Sequence, residues 1–144
     1  MFNKLILSIL LLSSTLLAQV DFQKDMLYKA DIDSKKAYEM QKKDILLVDV
    51  RTKREFNTLR AKNSINIPIF FEKNGKRDFN KNFPKEIYAL VKGDLDKDII
   101  LICRSGSRTK LASNLLAYQG FKKVYNIENG FQYDWIKANL PVEK

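Results

Sequence analysis

Residues 99–108 read Ile-Ile-Leu-Ile-Cys-Arg-Ser-Gly-Ser-Arg, and this stretch decides the fold. The four aliphatic residues form a continuous apolar run, which is typical of a strand buried on both faces of a parallel sheet. After the loop, Leu111, Leu115 and Leu116 recur at helical spacing, so a helix begins at the loop. Because ligands bind beyond the carboxyl ends of parallel strands, this strand, loop and helix predict a binding site at Cys103.

The rest of the chain alternates between strand and helix patterns. Strands are predicted at 26–30, 45–48, 64–67 and 123–127, and helices at 35–42, 53–59, 84–91 and 131–136. Asp33 or Ser34 is the predicted cap of the first of these helices. Residues 70–82 combine Lys, Asn and Gly with scattered phenylalanines, which predicts a long connection pinned to the body by its aromatic side chains. The alternation indicates an α/β fold built on a doubly wound parallel sheet.

The first 18 residues differ from the remainder of the chain. Lys4 is followed by an apolar run at 5–17, which is shorter than the ~20 residues of a membrane-spanning helix. The pattern predicts a secretory signal peptide cleaved after Ala18, although Leu16 stands where a small residue is preferred. An uncleaved anchor is the alternative. We expect an exported, periplasmic protein without a membrane span after cleavage, with a loose N-terminal segment at 19–30 and one domain at 31–140.

The chain is strongly basic, with a formal net charge of +9. Such a charge is compatible with binding to nucleic acid or to an anionic membrane surface, but it also concentrates small anionic substrates. The basic residues occur as dispersed pairs, such as Lys35-Lys36 and Lys122-Lys123, without a block of five or more like charges. Since an exported protein seldom meets nucleic acid, we expect a small anionic ligand and no nucleic-acid partner.

Cys103 is the only cysteine, and the chain has no histidine. A single cysteine cannot form an internal disulfide, so it is buried and inert, paired between chains, or reactive. Without an imidazole base, a reactive thiol must be activated by backbone amides, the following helix N-terminus and nearby arginines. The small residues Ser105, Gly106 and Ser107 let the loop turn its amides inward, which favours a thiolate. The pattern therefore favours a reactive cysteine over an inert one.

Four segments, in this order, resemble motifs of the single-domain rhodanese-like sulfurtransferases and span about residues 31–138. They are Leu46-Leu47-Val48-Asp49-Val50-Arg51 with Glu55-Phe56, Ile65-Asn66-Ile67-Pro68, the loop from Cys103 to Arg108, and Gly120-Phe121 to Val124-Tyr125-Asn126 with Gly130 and Trp135. The chain departs from the family pattern at Leu59-Arg60-Ala61, where Gly-His-Ile is usual, and at Asn63-Ser64, where Gly-Ala is usual. These departures leave the candidate nucleophile in place.

The resemblance implies a five-stranded parallel sheet flanked by helices on both faces. It also implies a two-step sulfur transfer that needs no metal or organic cofactor. In that reaction the Cys103 thiolate attacks the outer sulfur of a donor such as thiosulfate, sulfite leaves, and a Cys103 persulfide remains. The sulfur then passes to a thiophilic acceptor, which is cyanide in the laboratory and is expected to be a thiol or a protein in the cell.

The resemblance also implies roles for the loop around Cys103, the expected nucleophile. Arg104 is expected to attract the anionic donor, and Gly106 to permit the turn of the backbone. The expected substrate-binding residues are Arg104, Ser105, Gly106, Ser107 and Arg108. Their amides would hold the anionic persulfide and the leaving sulfite.

Two ion pairs are expected to support the loop. Arg108 would pair with Asp49 at the end of the neighbouring strand, and Arg51 would pair with Glu55. Asp49 and Arg51 are therefore the predicted structural supports of the site.

Two alternatives to a sulfurtransferase remain open at the level of sequence. Cysteine phosphatases use a similar loop, but they place five residues between cysteine and arginine, whereas four separate Cys103 from Arg108. The shorter loop suits sulfur better than phosphate. The second alternative is a non-catalytic binding or thiol-redox module for an exported partner protein, which a fold alone does not exclude.

Overall fold

The structure is a computed structural model that describes residues 19–144. The predicted signal peptide at 1–18 lies outside the described residues. Within 19–144, no helix combines the length and the apolar character needed to cross a membrane.

The described residues form nine strands, four α-helices and one π-helical turn. The strands are β1 (Ala30–Ile32), β2 (Leu46–Asp49), β3 (Arg60–Ala61), β4 (Ile65–Asn66), β5 (Phe70–Lys73), β6 (Lys76–Phe79), β7 (Asp98–Ile102), β8 (Lys123–Ile127) and β9 (Val142–Glu143). The helices are α1 (Ser34–Gln41), α2 (Lys53–Thr58), α3 (Phe83–Leu90) and α4 (Ser107–Tyr118), and the π-helical turn is Phe131–Trp135.

Five of the strands form a parallel sheet in the order β1-β8-β7-β2-β4. The strand β7, which ends directly before Cys103, lies at the centre between β8 and β2. Its register with β2 places Ile102 opposite Asp49. The predicted five-stranded parallel sheet is confirmed, and it brings the carboxyl end of β2 beside the candidate nucleophile.

Alternating side chains of β7 pack into separate cores on the two faces of the sheet. Ile99 and Leu101 pack with residues of α3 and α4 in one core. Ile100 and Ile102 pack with residues of α1 and the π-helical turn in the other core. All four side chains are fully buried, which explains why this strand is a continuous apolar run.

The prediction of a long connection at 70–82 is wrong, because β5 and β6 form an antiparallel hairpin there. Asn74 and Gly75 join the two strands, and their φ angles are 51° and 72°. Two consecutive positive φ values at Asn-Gly are typical of a type I′ hairpin turn. Phe70 and Phe79 pack edge to face across the strands with 5.9 Å between ring centroids. Phe70 also packs against the core, as predicted, whereas Phe71 and Phe79 are exposed and do not anchor the hairpin in this way.

Element boundaries near the termini also differ from the predictions. The strand predicted at 26–30 begins only at Ala30, as β1, and the helix predicted at 131–136 is the π-helical turn that ends at Trp135. The cap of α1 is Asp33, one of the two predicted residues, whose side chain accepts the N–H of Lys36 at 2.7 Å.

The N-terminal segment is anchored on α4, although the sequence predicts a loose segment. Asn114 accepts the N–H of Leu27 at 2.7 Å and donates to the carbonyls of Phe22 and Asp25 at 2.9 and 2.7 Å. Asn114 is itself fully buried, so these bonds satisfy its amide and fix the segment that precedes β1.

Candidate active site

Residues 103–106, which we call the nucleophile loop, join the central strand β7 to the helix α4. Cys103 directly follows Ile102, the last residue of β7, and Ser107 is the first residue of α4. Gly106 makes the turn into the helix with a φ of 97°, a conformation that favours glycine. The predicted succession of strand, loop and helix is therefore present at the carboxyl edge of the sheet.

The side chain of Cys103 is fully buried, and two polar groups contact its sulfur. The Gly106 N–H donates to Cys103 Sγ at 3.1 Å. Thr109 Oγ1 lies 3.4 Å from Sγ and donates to the Gly106 carbonyl at 2.9 Å. Because a hydroxyl has one proton, Thr109 can turn that proton toward a thiolate or accept the proton of the thiol. Thr109 is not among the residues predicted from the sequence, although its place in the first turn of the predicted helix was an available signal.

Several backbone N–H groups of the nucleophile loop and of the first turn of α4 make no hydrogen bond within residues 19–144. Within the described residues, those of Arg104, Ser105, Ser107 and Arg108 have no protein acceptor. Free N–H groups at a helix N-terminus, together with the positive end of the helix dipole, favour a bound anion. The loop can therefore stabilise negative charge without a histidine.

Two glycines allow a second loop to pack directly on the nucleophile loop. A Cβ atom at Gly106 would overlap the carbonyl oxygen of Glu128. A Cβ atom at Gly130, whose φ is 67°, would lie 2.6 Å from the carbonyl oxygen of Cys103. Only glycine permits this close approach of the two backbones.

The π-helical turn continues this contact with backbone hydrogen bonds. The Phe131 N–H donates to the Cys103 carbonyl at 2.7 Å, and the Gln132 N–H donates to the Arg104 carbonyl at 3.0 Å. These bonds occupy the loop carbonyls, which would repel an anion, and leave the loop N–H groups free.

The predicted pairing of Arg108 with Asp49 is wrong, because Arg108 binds Glu55. Its Nη1 and Nη2 donate to the two Glu55 carboxylate oxygens at 2.7 and 2.8 Å. Glu55 also accepts the N–H and the hydroxyl of Thr52, each at 3.0 Å. Burial favours the neutral form of Glu55, but the hydrogen bonds from Arg108 and Thr52 outweigh it and lower the pKa of Glu55 to about 2. The ionised pair ties the first turn of α4 to α2.

The predicted pairing of Arg51 with Glu55 is also wrong, because Arg51 binds Asp49. Arg51 Nε and Nη2 donate to Asp49 Oδ2 at 3.0 and 2.7 Å, and Nη2 also donates to the Leu59 carbonyl at 2.8 Å. The guanidinium lies 4.4 Å from the ring centroid of Phe131. Side chains two residues apart in extended chain point the same way, which brings Asp49 and Arg51 together locally. Burial raises the pKa of Asp49, and Arg51 opposes that effect.

Arg104 lines a cavity of about 320 Å³ beside the nucleophile loop. The other lining residues are Arg51, Arg54, Glu55, Thr58, Leu59, Phe131, Gln132 and Ile136. The exposed guanidinium of Arg104 donates from Nε to Gln132 Oε1 at 2.7 Å and from Nη2 to the Tyr133 hydroxyl at 3.0 Å. Arg104 thus borders the cavity, and its expected role in attracting the donor stays a prediction. Nothing in the sequence identified Gln132 or Tyr133 as its partners.

The side chains of Ser105 and Ser107 are exposed, and their hydroxyls make no hydrogen bond within the described residues. The predicted loop residues therefore surround Cys103 mainly with backbone groups. Across residues 19–144, no three side chains of His, Cys, Asp or Glu gather where they could hold a metal ion.

The segment that departs from the family pattern borders the cavity through one residue. Leu59 lines it, and the Arg60 Nε donates to Glu143 Oε1 at 3.2 Å. Ala61 pairs with Val142 in the antiparallel contact of β3 with β9. Arg60 and Ala61 thus bind the C-terminal strand β9.

Asn66 is a further supporting residue, within the segment that resembles the Ile-Asn-Ile-Pro motif. Its Nδ2 donates to the carbonyls of Asp49 and Arg51 at 3.0 and 2.9 Å. Asn66 therefore holds the end of β2 next to the nucleophile loop, a role that spacing in the sequence did not reveal.

Comparisons with known proteins agree with this geometry. The family model described as "Rhodanese-like domain" matches residues 33–137. An uncharacterized protein of Rickettsia prowazekii, RP600, is 34% identical over 122 residues, which cover 77% of this chain and 94% of that protein. The thiosulfate sulfurtransferase GlpE of Vibrio cholerae is 28% identical over 104 residues, which cover 72% of this chain and 84% of GlpE.

A solved structure is similar over most of its length. The polysulfide-sulfur transferase homodimer from Wolinella succinogenes matches with a TM-score of 0.57 and 25% sequence identity, covering 85% of this chain and 81% of that chain. Because the family model covers residues 33–137, most of the chain, the chain belongs to the rhodanese-like domain family.

Proposed function

We propose that the protein is a sulfurtransferase that moves sulfane sulfur from thiosulfate or a related anionic donor to a thiophilic acceptor through a persulfide on Cys103. The observation that carries the proposal is the position of Cys103 Sγ, 3.1 Å from the Gly106 N–H and beside the free amides at the start of α4. The similarity to a thiosulfate sulfurtransferase at 28% identity supports it.

The first step forms the persulfide. The Cys103 thiolate attacks the outer sulfur of thiosulfate, and a new sulfur–sulfur bond forms at Sγ. The sulfur–sulfur bond of the donor breaks, and its electron pair leaves with sulfite. Charge is conserved without a proton transfer, so a site with free N–H groups and no imidazole base is sufficient.

The second step transfers the outer sulfur to the acceptor. Cyanide, or a thiolate of a small molecule or a protein, attacks the outer sulfur of the persulfide. The bond to Sγ breaks and returns its electron pair to Cys103 as a thiolate. Thiocyanate or a new persulfide is released, and the enzyme is ready for another donor.

Two arginines of this segment serve different purposes in the proposal. Arg108, fixed by Glu55, holds the first turn of α4 so that its N–H groups face the sulfur. Arg104 lines the cavity and attracts the anionic donor.

The full burial of Cys103 favours one alternative function. A sulfur without solvent contact reacts only after the surrounding loop admits the donor. If the loop does not open, the protein is a non-catalytic binding or thiol-redox module that presents this surface to an exported partner protein.

We propose further that residues 1–18 direct the protein to the periplasm, so that donor and acceptor meet it there. The apolar run after Lys4 supports this location. Cell fractionation with a C-terminal tag, together with N-terminal sequencing, tests export and cleavage after Ala18.

The decisive experiment combines mass spectrometry with an activity assay. Purified protein incubated with thiosulfate should gain ~32 Da on Cys103, the mass of one sulfur retained by covalent catalysis. Addition of cyanide should remove that mass and release thiocyanate. Cys103→Ser should show neither change.

Tyr118→Phe is the matched control, since it alters an exposed side chain at the far end of α4 and should leave both signals near the wild-type level. Absence of both the mass gain and thiocyanate in wild-type protein would favour the binding module. Steady hydrolysis of aryl phosphates would favour a phosphatase.

A further inference from the structure

Four charged side chains line the cavity beside the nucleophile loop, and three of them are neutralised. The neutralised pairs are Arg51 with Asp49, Arg54 with Glu72, and Glu55 with Arg108, each at 2.7 Å. Within residues 19–144, no carboxylate lies within 4.0 Å of the Arg104 guanidinium. Arg104 is therefore the source of uncompensated positive charge in the wall of this cavity.

Gln132 and Tyr133 hold Arg104 through neutral acceptors. The Gln132 amide oxygen accepts from Nε at 2.7 Å, and the Tyr133 hydroxyl accepts from Nη2 at 3.0 Å. The backbone adds a third bond, from the Gln132 N–H to the Arg104 carbonyl at 3.0 Å. An amide or hydroxyl oxygen directs an arginine but cancels none of its charge, whereas a carboxylate in the same place would cancel it.

We propose that Gln132 and Tyr133 are positioning residues that hold Arg104 beside the cavity with its charge intact, so that the site selects anionic reactants over neutral ones of equal size. An anion entering the cavity gains attraction from Arg104, and a neutral molecule does not. The proposal rests on the proposed function only in naming that anion as the sulfur donor.

Alkylation of Cys103 tests charge selection without requiring sulfur transfer. Iodoacetate and iodoacetamide react alike: the thiolate forms a bond to carbon, and iodide leaves with the electron pair of the carbon–iodine bond. The two reagents are similar in size and differ in charge. The ratio of their rates on Cys103, divided by the same ratio on N-acetylcysteine, therefore measures selection by the site. We expect this normalised ratio to exceed one in wild-type protein.

Gln132→Glu is the central variant, because it keeps the shape of the side chain and places a carboxylate against Arg104. We expect the normalised ratio to fall about fivefold, as expected when one nearby charge is cancelled at a partly solvated site. The rate with iodoacetamide should stay within about twofold of wild type, since a neutral reagent does not respond to that charge.

Gln119→Glu is the matched control. Gln119 is exposed at the far end of α4, a helix of 12 residues and therefore ~18 Å long. The same change of charge at this distance should leave the ratio unchanged. Tyr133→Phe, which removes one of the two side-chain bonds to Arg104, should lower the ratio less than Gln132→Glu does.

Two outcomes would overturn the proposal. One is that Gln132→Glu has the same normalised ratio of alkylation rates as wild-type protein. The other is an equal fall of both rates in Gln132→Glu, which would mean altered access to Cys103 rather than altered charge selection.

Sulfur transfer adds a second readout. If the protein turns over thiosulfate, Gln132→Glu should raise the KM for thiosulfate about fivefold, by the same loss of attraction, and leave kcat nearly constant. A protein that transfers no sulfur would still show a normalised alkylation ratio above one that falls in Gln132→Glu. Failure of the proposed function and failure of this inference are therefore distinguishable.

Discussion

Two Arg–Glu pairs of this protein have the same chemistry in different surroundings. Beside the nucleophile loop, Arg108 binds Glu55 at 2.7 and 2.8 Å, and only 7% and 23% of their side chains are exposed. Beside the hairpin, Arg54 binds Glu72 at 2.9 and 2.7 Å, but 75% of the Arg54 side chain is exposed. The hydrogen bonds are nearly equal in length, so burial rather than bond length decides which pair the fold depends on.

The largest expected effect on the free energy of unfolding concerns one glycine in each of these two regions. Gly106 and Gly75 both have positive φ, 97° and 72°, but a Cβ at Gly106 overlaps the Glu128 carbonyl, whereas a Cβ at Gly75 meets nothing within 4 Å. Gly106→Ala should lower the free energy of unfolding by about 4 kcal/mol, through left-handed strain plus steric overlap. Gly75→Ala should lower it by about 1 kcal/mol, through strain alone. Urea unfolding measures both values, and equal losses would contradict the close packing of the two loops.

The next effect separates the two Arg–Glu pairs directly. Glu55→Gln leaves the buried Arg108 without its counter-charge and should lower the free energy of unfolding by about 3 kcal/mol. Glu72→Gln removes the exposed partner of Arg54 and should leave unfolding unchanged within error. Because both substitutions conserve shape, urea titrations of the two variants isolate the effect of burial. Similar losses in the two variants would show that burial does not distinguish the pairs.

The third expected effect is a difference in pH dependence. The pKa of Glu55 is about 2 in the folded protein, against 4.5 for the free side chain. The unfolded chain therefore binds more protons, so the contribution of Glu55 is complete above pH 4.5 and is lost as pH falls toward 2. Wild-type protein should lose stability across this window more steeply than Glu55→Gln. Glu72→Gln should keep the wild-type profile, because its pair is screened by solvent. Parallel profiles for wild type and Glu55→Gln would contradict the lowered pKa.

Predictions from the sequence succeeded where the cause is local. The apolar run at 99–102 predicted the central strand, because a strand covered on both faces excludes polar residues. Asp33 was one of two predicted caps, because its side chain competes for the first free N–H groups of α1. The hairpin at 70–79 is absent from the predictions, although Asn74-Gly75 is typical of a two-residue hairpin turn.

Local sequence patterns do not predict which side chains bind the arginines. Glu55 and Arg108 are 53 positions apart, and the sequence offered two acids and two arginines that could pair in either way. The predicted pairs, Arg108 with Asp49 and Arg51 with Glu55, are the wrong ones. Arg104 shows the same limit, since its partner Gln132 is 28 positions away and has no distinguishing neighbours in the chain.

The sequence by itself determined the alternation of the parallel strands with helices, the place of Cys103 at the end of β7, and the small residues that let its loop turn. These features depend on side-chain periodicity and backbone freedom over a few residues. Only the tertiary structure decided that Glu55 holds Arg108, that Asp49 holds Arg51, and that no carboxylate of residues 19–144 pairs with Arg104. The physical reason is that the free energy of an ion pair depends on burial and on competing partners, which exist only after distant segments have packed together.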